Sequence, residues 1–161
     1  MAVDNKQRSI PNLSIVNCQL SIFSGLLPTT HCLLLLGCLL SSCSMQDNKL
    51  TQYTRQGEEL YLKHCSNCHQ ANGKGLGLVY PPVDVSDFID NNLQKTICLI
   101  EYGTSGEMLV NGKSYNKPMP GVPTLTDLEI AEIATYLYNS WGRSKGIVEI
   151  KTVTKILEEC R

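Results

Sequence analysis

The sequence predicts an all-α domain of a few short helices that cannot close a core by themselves. Two segments, Thr54–His64 and 127–140, carry apolar residues at helical spacing. A long Gly- and Pro-rich loop lies between them, and aromatic residues make up only 6% of the chain. So thin a set of core side chains needs something else to fill the interior. Residues 65–69 indicate what that is, reading Cys-Ser-Asn-Cys-His, the pattern by which a polypeptide is joined covalently to haem.

The first 43 residues read as an export signal rather than as part of the fold. Cys32–Leu40 is an apolar run, far short of the ~20 residues that span a bilayer and matching the apolar core of a secretory signal. Leu40-Ser41-Ser42-Cys43 resembles the bacterial lipoprotein processing box, in which the Cys becomes the lipidated first residue of the mature protein. Cys38 fits less well because Leu36 is bulky, and a plain secretory signal cut near Ser42–Ser44 is the alternative. Lys6 and Arg8 lie far upstream of the apolar run, which points to a translation start nearer Leu20–Leu27. Residues 44–52 are polar and read as a tether reaching at most ~30 Å.

From Cys43 onward there are 119 residues, enough for one small domain, with 12 basic and 14 acidic side chains and a net charge of −2. Without a basic stripe, nucleic acid is excluded as a partner. Export also sorts the eight cysteines. Cys18, Cys32, Cys38 and Cys43 belong to the signal or the lipid site, and Cys65 and Cys68 to haem. Cys98 and Cys160 remain, either as a disulfide tying the C-terminal tail to a mid-domain helix or as two free buried thiols.

Within the domain, the helix Thr54–His64 leads straight into the motif. Gly57 is a poor helix former, so its place one turn before Tyr61 implies that another backbone comes close. The partner is the helix 127–140, opened by the capping box Thr126-Asp127-Leu128-Glu129 and striped by Ile130, Ile133, Ala134, Leu137 and Trp141. Gly142-Arg143 is its stop signal. In the motif, the thiols of Cys65 and Cys68 add across the porphyrin vinyl groups and His69 becomes the proximal iron ligand. A zinc site would need a second ligand pair, which the isolated Cys98 and Cys160 do not supply. A redox dithiol would need a preceding strand and a βαβ setting, which this region lacks.

Gln70–Asp90, with Gly73, Gly75, Gly77 and Pro81-Pro82, is too long for a structureless loop without a function. Wrapping a flat apolar cofactor is such a function. Pro81 or Pro82 would supply the carbonyl that accepts a hydrogen bond from the second ring nitrogen of His69. A third helix spans Leu93–Tyr102 and ends at Gly103. For the sixth iron ligand, Met119 sits between Pro118 and Pro120 in a stiff loop, and Met108 is its competitor. His64 is too close to the motif to reach the opposite face, His31 leaves with the signal, and Met45 lies in the tether. Residues 146–161 read as a short extra helix packing through Ile150, Val153 and Leu157.

Together these residues resemble the class I monohaem cytochromes c of the bacterial lipoprotein type, over residues 53–142. The resemblance rests on Gly57 and Tyr61, Cys65–His69, Tyr80-Pro81-Pro82, Val110-Asn111-Gly112-Lys113, Met119-Pro120, Ile133, Tyr136 and Asn139-Ser140-Trp141-Gly142. It implies one covalent haem c and a fold in which the N- and C-terminal helices cross, with Gly57 and Tyr61 against Ile133 and Tyr136. It assigns the proximal carbonyl to Pro81 and the distal ligand to Met119. Tyr80 and Val83 fall in the haem pocket, Val83 standing where the family usually has Leu. Residues 143–161 form an extension beyond the core resemblance.

The function expected is one-electron transfer rather than catalysis, because a His/Met-ligated iron leaves no position open for a substrate. No nucleophile motif, metal triad or phosphate loop is present in the sequence. Partners would be redox proteins docking transiently over a small area, with the chain facing the periplasm on a lipid anchor at Cys43, in the inner or the outer membrane. Two other readings stand beside this one. The chain could serve as the electron-transfer subunit of a larger exported oxidoreductase or terminal oxidase. If Met119 does not ligate the iron, a haem sensor or weak peroxidase follows instead.

Overall fold

Gly57 has no room for a side chain, and that fact organises the helices. In the computed structural model, which describes residues 45–160, α1 (Met45–His64) and α5 (Asp127–Asn139) form the most extensive helix pair. A Cβ on Gly57 would lie 2.0 Å from the Glu132 carbonyl oxygen and 2.8 Å from the Tyr136 Cβ. The two backbones are therefore in direct contact. Tyr61, one turn on, packs its ring 5.4 Å from that of Tyr136 and 5.7 Å from that of Trp141. Ile133, expected in the same contact, is buried in the same cluster as Tyr61 and also lines the cavity described below.

Helix α5 is buried along nearly its whole length, from Ile130 to Tyr138, as expected of a helix surrounded on all sides. Both arms of its capping box are made. Thr126 Oγ1 accepts from the Glu129 amide at 3.3 Å, and the Thr126 amide donates to Glu129 Oε2 at 2.8 Å. The helix stops at Asn139 rather than running through Trp141, which takes a left-handed backbone (φ 51°). That conformation costs about 1–2 kcal/mol, and the edge contacts of Trp141 with Tyr61 and Tyr136 offset it.

The segment 44–52, expected as a tether, is corrected from Met45 onward, since α1 starts there. Lys49 is ion-paired with Glu149 at 2.8 Å and Tyr53 is buried, so these first turns dock on the domain. Cys43, Cys38 and the apolar run Cys32–Leu40 lie outside the described residues.

After the short α2 (Ser66–His69) comes the long loop, which is shorter than expected at its far end. Asp87–Asn91 is helical (α3), capped by Ser86, whose hydroxyl accepts from the Ile89 amide. Then follow α4 (Leu93–Tyr102) and four short strands, β1 (Gly103–Thr104), β2 (Met108–Val110), β3 (Lys113–Tyr115) and β4 (Met119–Pro120).

The strands were not expected. β1 pairs with β4 through Gly103↔Pro120 and Thr104↔Met119, and β2 with β3 through Met108↔Tyr115, Leu109↔Ser114 and Val110↔Lys113. Every pair of residue numbers adds to the same total, so the two ladders are one hairpin in continuous register. Its turn is Asn111-Gly112, both with positive φ (52° and 69°), the dipeptide that two-residue hairpins favour. Asn111 also anchors the tip. Its amide donates to Asp87 Oδ1 at 2.7 Å, its side-chain Nδ2 donates to the Val85 carbonyl at 2.6 Å, and its Oδ1 accepts from the Asp87 amide at 3.0 Å.

The C-terminal extension closes the far side as α6 (Ile150–Glu159). Val153 and Leu157 are buried, but Ile150 is exposed and Val148 takes the expected third place. Cys98 and Cys160 form a disulfide that joins α4 to the end of α6, with Cα atoms 5.9 Å apart at a sequence separation of 62. Closing a loop of that size stabilises the folded state by about 4 kcal/mol in the chain-entropy picture.

Gly57→Ala is expected to force α1 and α5 apart and to cost roughly 3 kcal/mol or more in denaturant-induced unfolding. A loss below about 0.5 kcal/mol would mean that the helices do not meet at this point.

Candidate functional site

The turn of chain after α1 delivers three site residues at once. The Cys65 amide donates to the Tyr61 carbonyl at 2.8 Å and the His69 amide to the Cys65 carbonyl at 3.0 Å, so Cys65–His69 continues the helical hydrogen bonding past the end of α1. Both thiols are free. Cys65 borders an apolar cavity and Cys68 borders a smaller, adjoining one.

His69 is buried and borders both cavities. Its Nδ1 lies 2.9 Å from the Pro81 carbonyl oxygen. A carbonyl only accepts, so Nδ1 carries the proton and Nε2 keeps its lone pair. Burial pulls the imidazole below its ordinary pKa while the Pro81 contact pulls it up. The ring is thus biased toward its neutral form and fixed in one tautomer, as a metal-binding histidine requires.

Pro81 is placed by the loop before it. The Gly75 amide donates to the His69 carbonyl at 2.9 Å, and the Val83 and Asp84 amides both donate to the Gly73 carbonyl, at 2.7 and 3.0 Å. Gly75 has φ 66°, and a Cβ there would lie 2.3 Å from the Tyr80 carbonyl oxygen and 2.6 Å from that of Pro81. Glycine is the residue that permits both the conformation and the approach. Tyr61 Oη donates to the Gln70 carbonyl at 2.7 Å and ties the start of the loop to α1.

Of the pocket residues expected from sequence, Val83 lines the larger cavity and Tyr80 the smaller, with Pro82 beside Val83. Sequence reasoning passed over Arg143, read only as part of a stop signal. Its Nη1 donates to the Val83 carbonyl at 3.0 Å and its Nε pairs with Asp90 at 2.5 Å. Its guanidinium therefore clamps the loop to α3, and nothing in the local sequence marks a contact across 60 residues.

The opposite wall is the hairpin. Met119 on β4 borders both cavities, and so does Met108 on β2. The remaining walls come from α4 through Thr96, Leu99 and Ile100 and from α5 through Ile133 and Leu137. These side chains offer little hydrogen bonding, so the cleft suits a flat apolar group with its polar chemistry confined to the centre.

The donor set fits a covalently held haem. Two free thiols, an imidazole with its proton on Nδ1 and two thioethers border the same adjoining cavities among apolar walls. Zinc is a poor fit, since among the described residues no group of three or more His, Cys, Asp and Glu side chains converges. Redox dithiol chemistry fits no better. Burial, with the neighbouring Cys68 adding to it, pushes the Cys65 thiol up to about 11, whereas reactive dithiols depend on a lowered value.

The family model for cytochrome c matches residues 54–141. Cytochrome c-552 of Thermus thermophilus is 30% identical over 102 residues, a span covering 61% of this chain and 77% of that protein. The cytochrome subunit of fructose dehydrogenase from Gluconobacter japonicus is 29% identical over 119 residues, covering 70% of this chain but 24% of its own. The cytochrome c subunit of the quinone alcohol dehydrogenase of Komagataeibacter europaeus is 27% identical over 104 residues, covering 62% of this chain and 22% of its own.

Gly75→Ala is expected to push the Tyr80-Pro81 carbonyls away from the loop, costing about 2 kcal/mol or more and breaking the His69–Pro81 hydrogen bond. In the haem-loaded protein the reduction potential should rise, because His69 then donates less strongly to ferric iron. Thermal unfolding and a potentiometric titration measure the two effects, and an unchanged potential would separate Gly75 from the ring.

Proposed function

The chain belongs to the cytochrome c family as a class I monohaem electron carrier with covalently bound haem c, and on that premise we propose that its iron is held between His69 and Met119. Cys65 and Cys68 carry the thioether links in this reading. The observation that supports it most is that His69 and Met119 border the same two adjoining cavities, with the two thiols on the His69 side.

Bound haem supplies the Fe(III)/Fe(II) couple, and the chain's own residues set the conditions for it. Pro81 holds the His69 proton on Nδ1, so the ring presents one orientation in both oxidation states. The apolar walls keep water from the centre, which limits how far the surroundings must reorganise when one electron moves. The hairpin holds Met119 through its pairing with Thr104, and its thioether would occupy the haem iron and so keep substrates from it. Partners approach where the smaller cavity opens beside Cys68, Tyr80, Lys117 and Pro118.

The carrier works outside the cytoplasm, anchored through a lipid on Cys43. The Cys98–Cys160 disulfide supports export, because such bonds persist in oxidising compartments. Only Ser44 stands in sequence between Cys43 and the first residue of α1. The anchored domain is then tied to the membrane by a helix rather than by a long flexible linker. Among the described residues no helix is long and apolar enough to cross a membrane.

A second reading, as the electron-transfer subunit of a larger dehydrogenase, is favoured by the similarity to the two dehydrogenase cytochrome subunits. In that case the chain should co-purify with a partner enzyme at constant stoichiometry.

A redox titration of the holoprotein is expected to follow a one-electron Nernst curve. The ferric form should show the far-red band of iron–thioether bonding, and the ferrous form should not bind carbon monoxide. A ferric form without that band and a ferrous form open to carbon monoxide would return the haem-sensor reading. Separately, Cys43→Ser should move the protein from the membrane to the soluble exported fraction and abolish metabolic labelling with a fatty acid. Continued membrane attachment would count against the anchor.

A further inference from the structure

The continuous register of the hairpin puts a second thioether on the wall that carries Met119. Side chains of a strand alternate between faces, and paired residues share a face. With Thr104 opposite Met119 and Met108 opposite Tyr115, one face carries Thr104, Gly106 and Met108 on one arm and Tyr115, Lys117 and Met119 on the other. All six line the smaller cavity. The intervening Leu109 points away and is 64% exposed. Among the described residues, four border both cavities: His69, its partner Pro81, Met119 and Met108.

Met108 is more than filler in this position. Its side chain is unbranched, with three rotatable bonds and a soft sulfur that asks for no hydrogen-bond partner. It also borders an outer groove with Lys95 and Leu99, so it has space to move within the wall. We propose that Met108 is a reserve axial ligand, whose thioether binds the haem iron when Met119 leaves it. The proposal rests on the reading of Met119 as the resting ligand. In the exchange one iron–sulfur bond breaks and another forms, with no electron or proton transferred. The iron stays six-coordinate and closed to small molecules.

The test uses holoprotein with Met108→Leu, Met119→Leu and both together, Leu keeping the apolar volume. Covalent haem content serves as the check that each variant matured. The far-red ferric band and ferrous carbon monoxide binding are recorded at neutral pH. Met108→Leu should match the wild type. Met119→Leu should keep a shifted far-red band and bind carbon monoxide roughly tenfold or more weakly than the double variant, since an internal ligand competes at high effective concentration. The double variant should lose the band. A Met119→Leu protein indistinguishable from the double variant overturns the proposal. So does a low-spin Met119→Leu form without the band, which would assign the sixth position to a nitrogen such as that of Lys117. Loss of the band in wild type, or on Met108→Leu alone, would instead show that Met119 is not the resting ligand.

Discussion

The backbone contact between Gly57 and Glu132 sets the separation of α1 and α5, and the site is built outward from it. Because α1 is seated on α5 at that point, Tyr61 is held among Tyr136 and Trp141. Its carbonyl then receives the Cys65 amide and its hydroxyl reaches Gln70. The thiols and His69 thus inherit their positions from a contact two turns earlier. The same contact turns Ile133 and Leu137 of α5 toward the cavity, so the helix that receives Gly57 is also the cofactor's floor.

Two irregular segments complete the cleft, and each is fixed by polar anchoring as well as by the buried Val83, Val110 and Tyr115. The proximal loop is held by paired amides on the Gly73 carbonyl and by the Arg143 guanidinium. The distal hairpin is pinned at its tip by the reciprocal bonds of Asn111 and Asp87. Hydrogen bonds of this sort contribute little net stability, about 1 kcal/mol each, but they are directional. They set where a carbonyl or a thioether stands in a way that apolar contact alone does not.

The C-terminal extension adds a brace outside this frame. The disulfide ties α6 to α4, the helix that supplies Thr96, Leu99 and Ile100 to the cavity wall. Lys49 and Glu149 tie the first turns of α1 to the start of α6. A domain of this size, with a core shared between side chains and a cofactor, gains from covalent bracing that does not depend on apolar area.

Local sequence by itself determined the features that depend on neighbours in the chain. The Cys65–His69 motif, the Thr126–Glu129 capping box, the helix Leu93–Tyr102 with its stop at Gly103, and the need for space at Gly57 were all legible, because covalent spacing and helical periodicity carry them. The hairpin was not legible, since its arms are only two or three residues long and interrupted between ladders; the Asn111-Gly112 dipeptide was the one available signal. The docked start of α1, the end of α5 before Trp141, the role of Arg143 and the bond between Cys98 and Cys160 were decided only in three dimensions. Each depends on a partner tens of residues away, and the chain carries no local preference strong enough to announce it. The sharing of one cavity by Met108 and Met119 belongs with these, because strand register, which sets the face a side chain takes, exists only once two arms have paired.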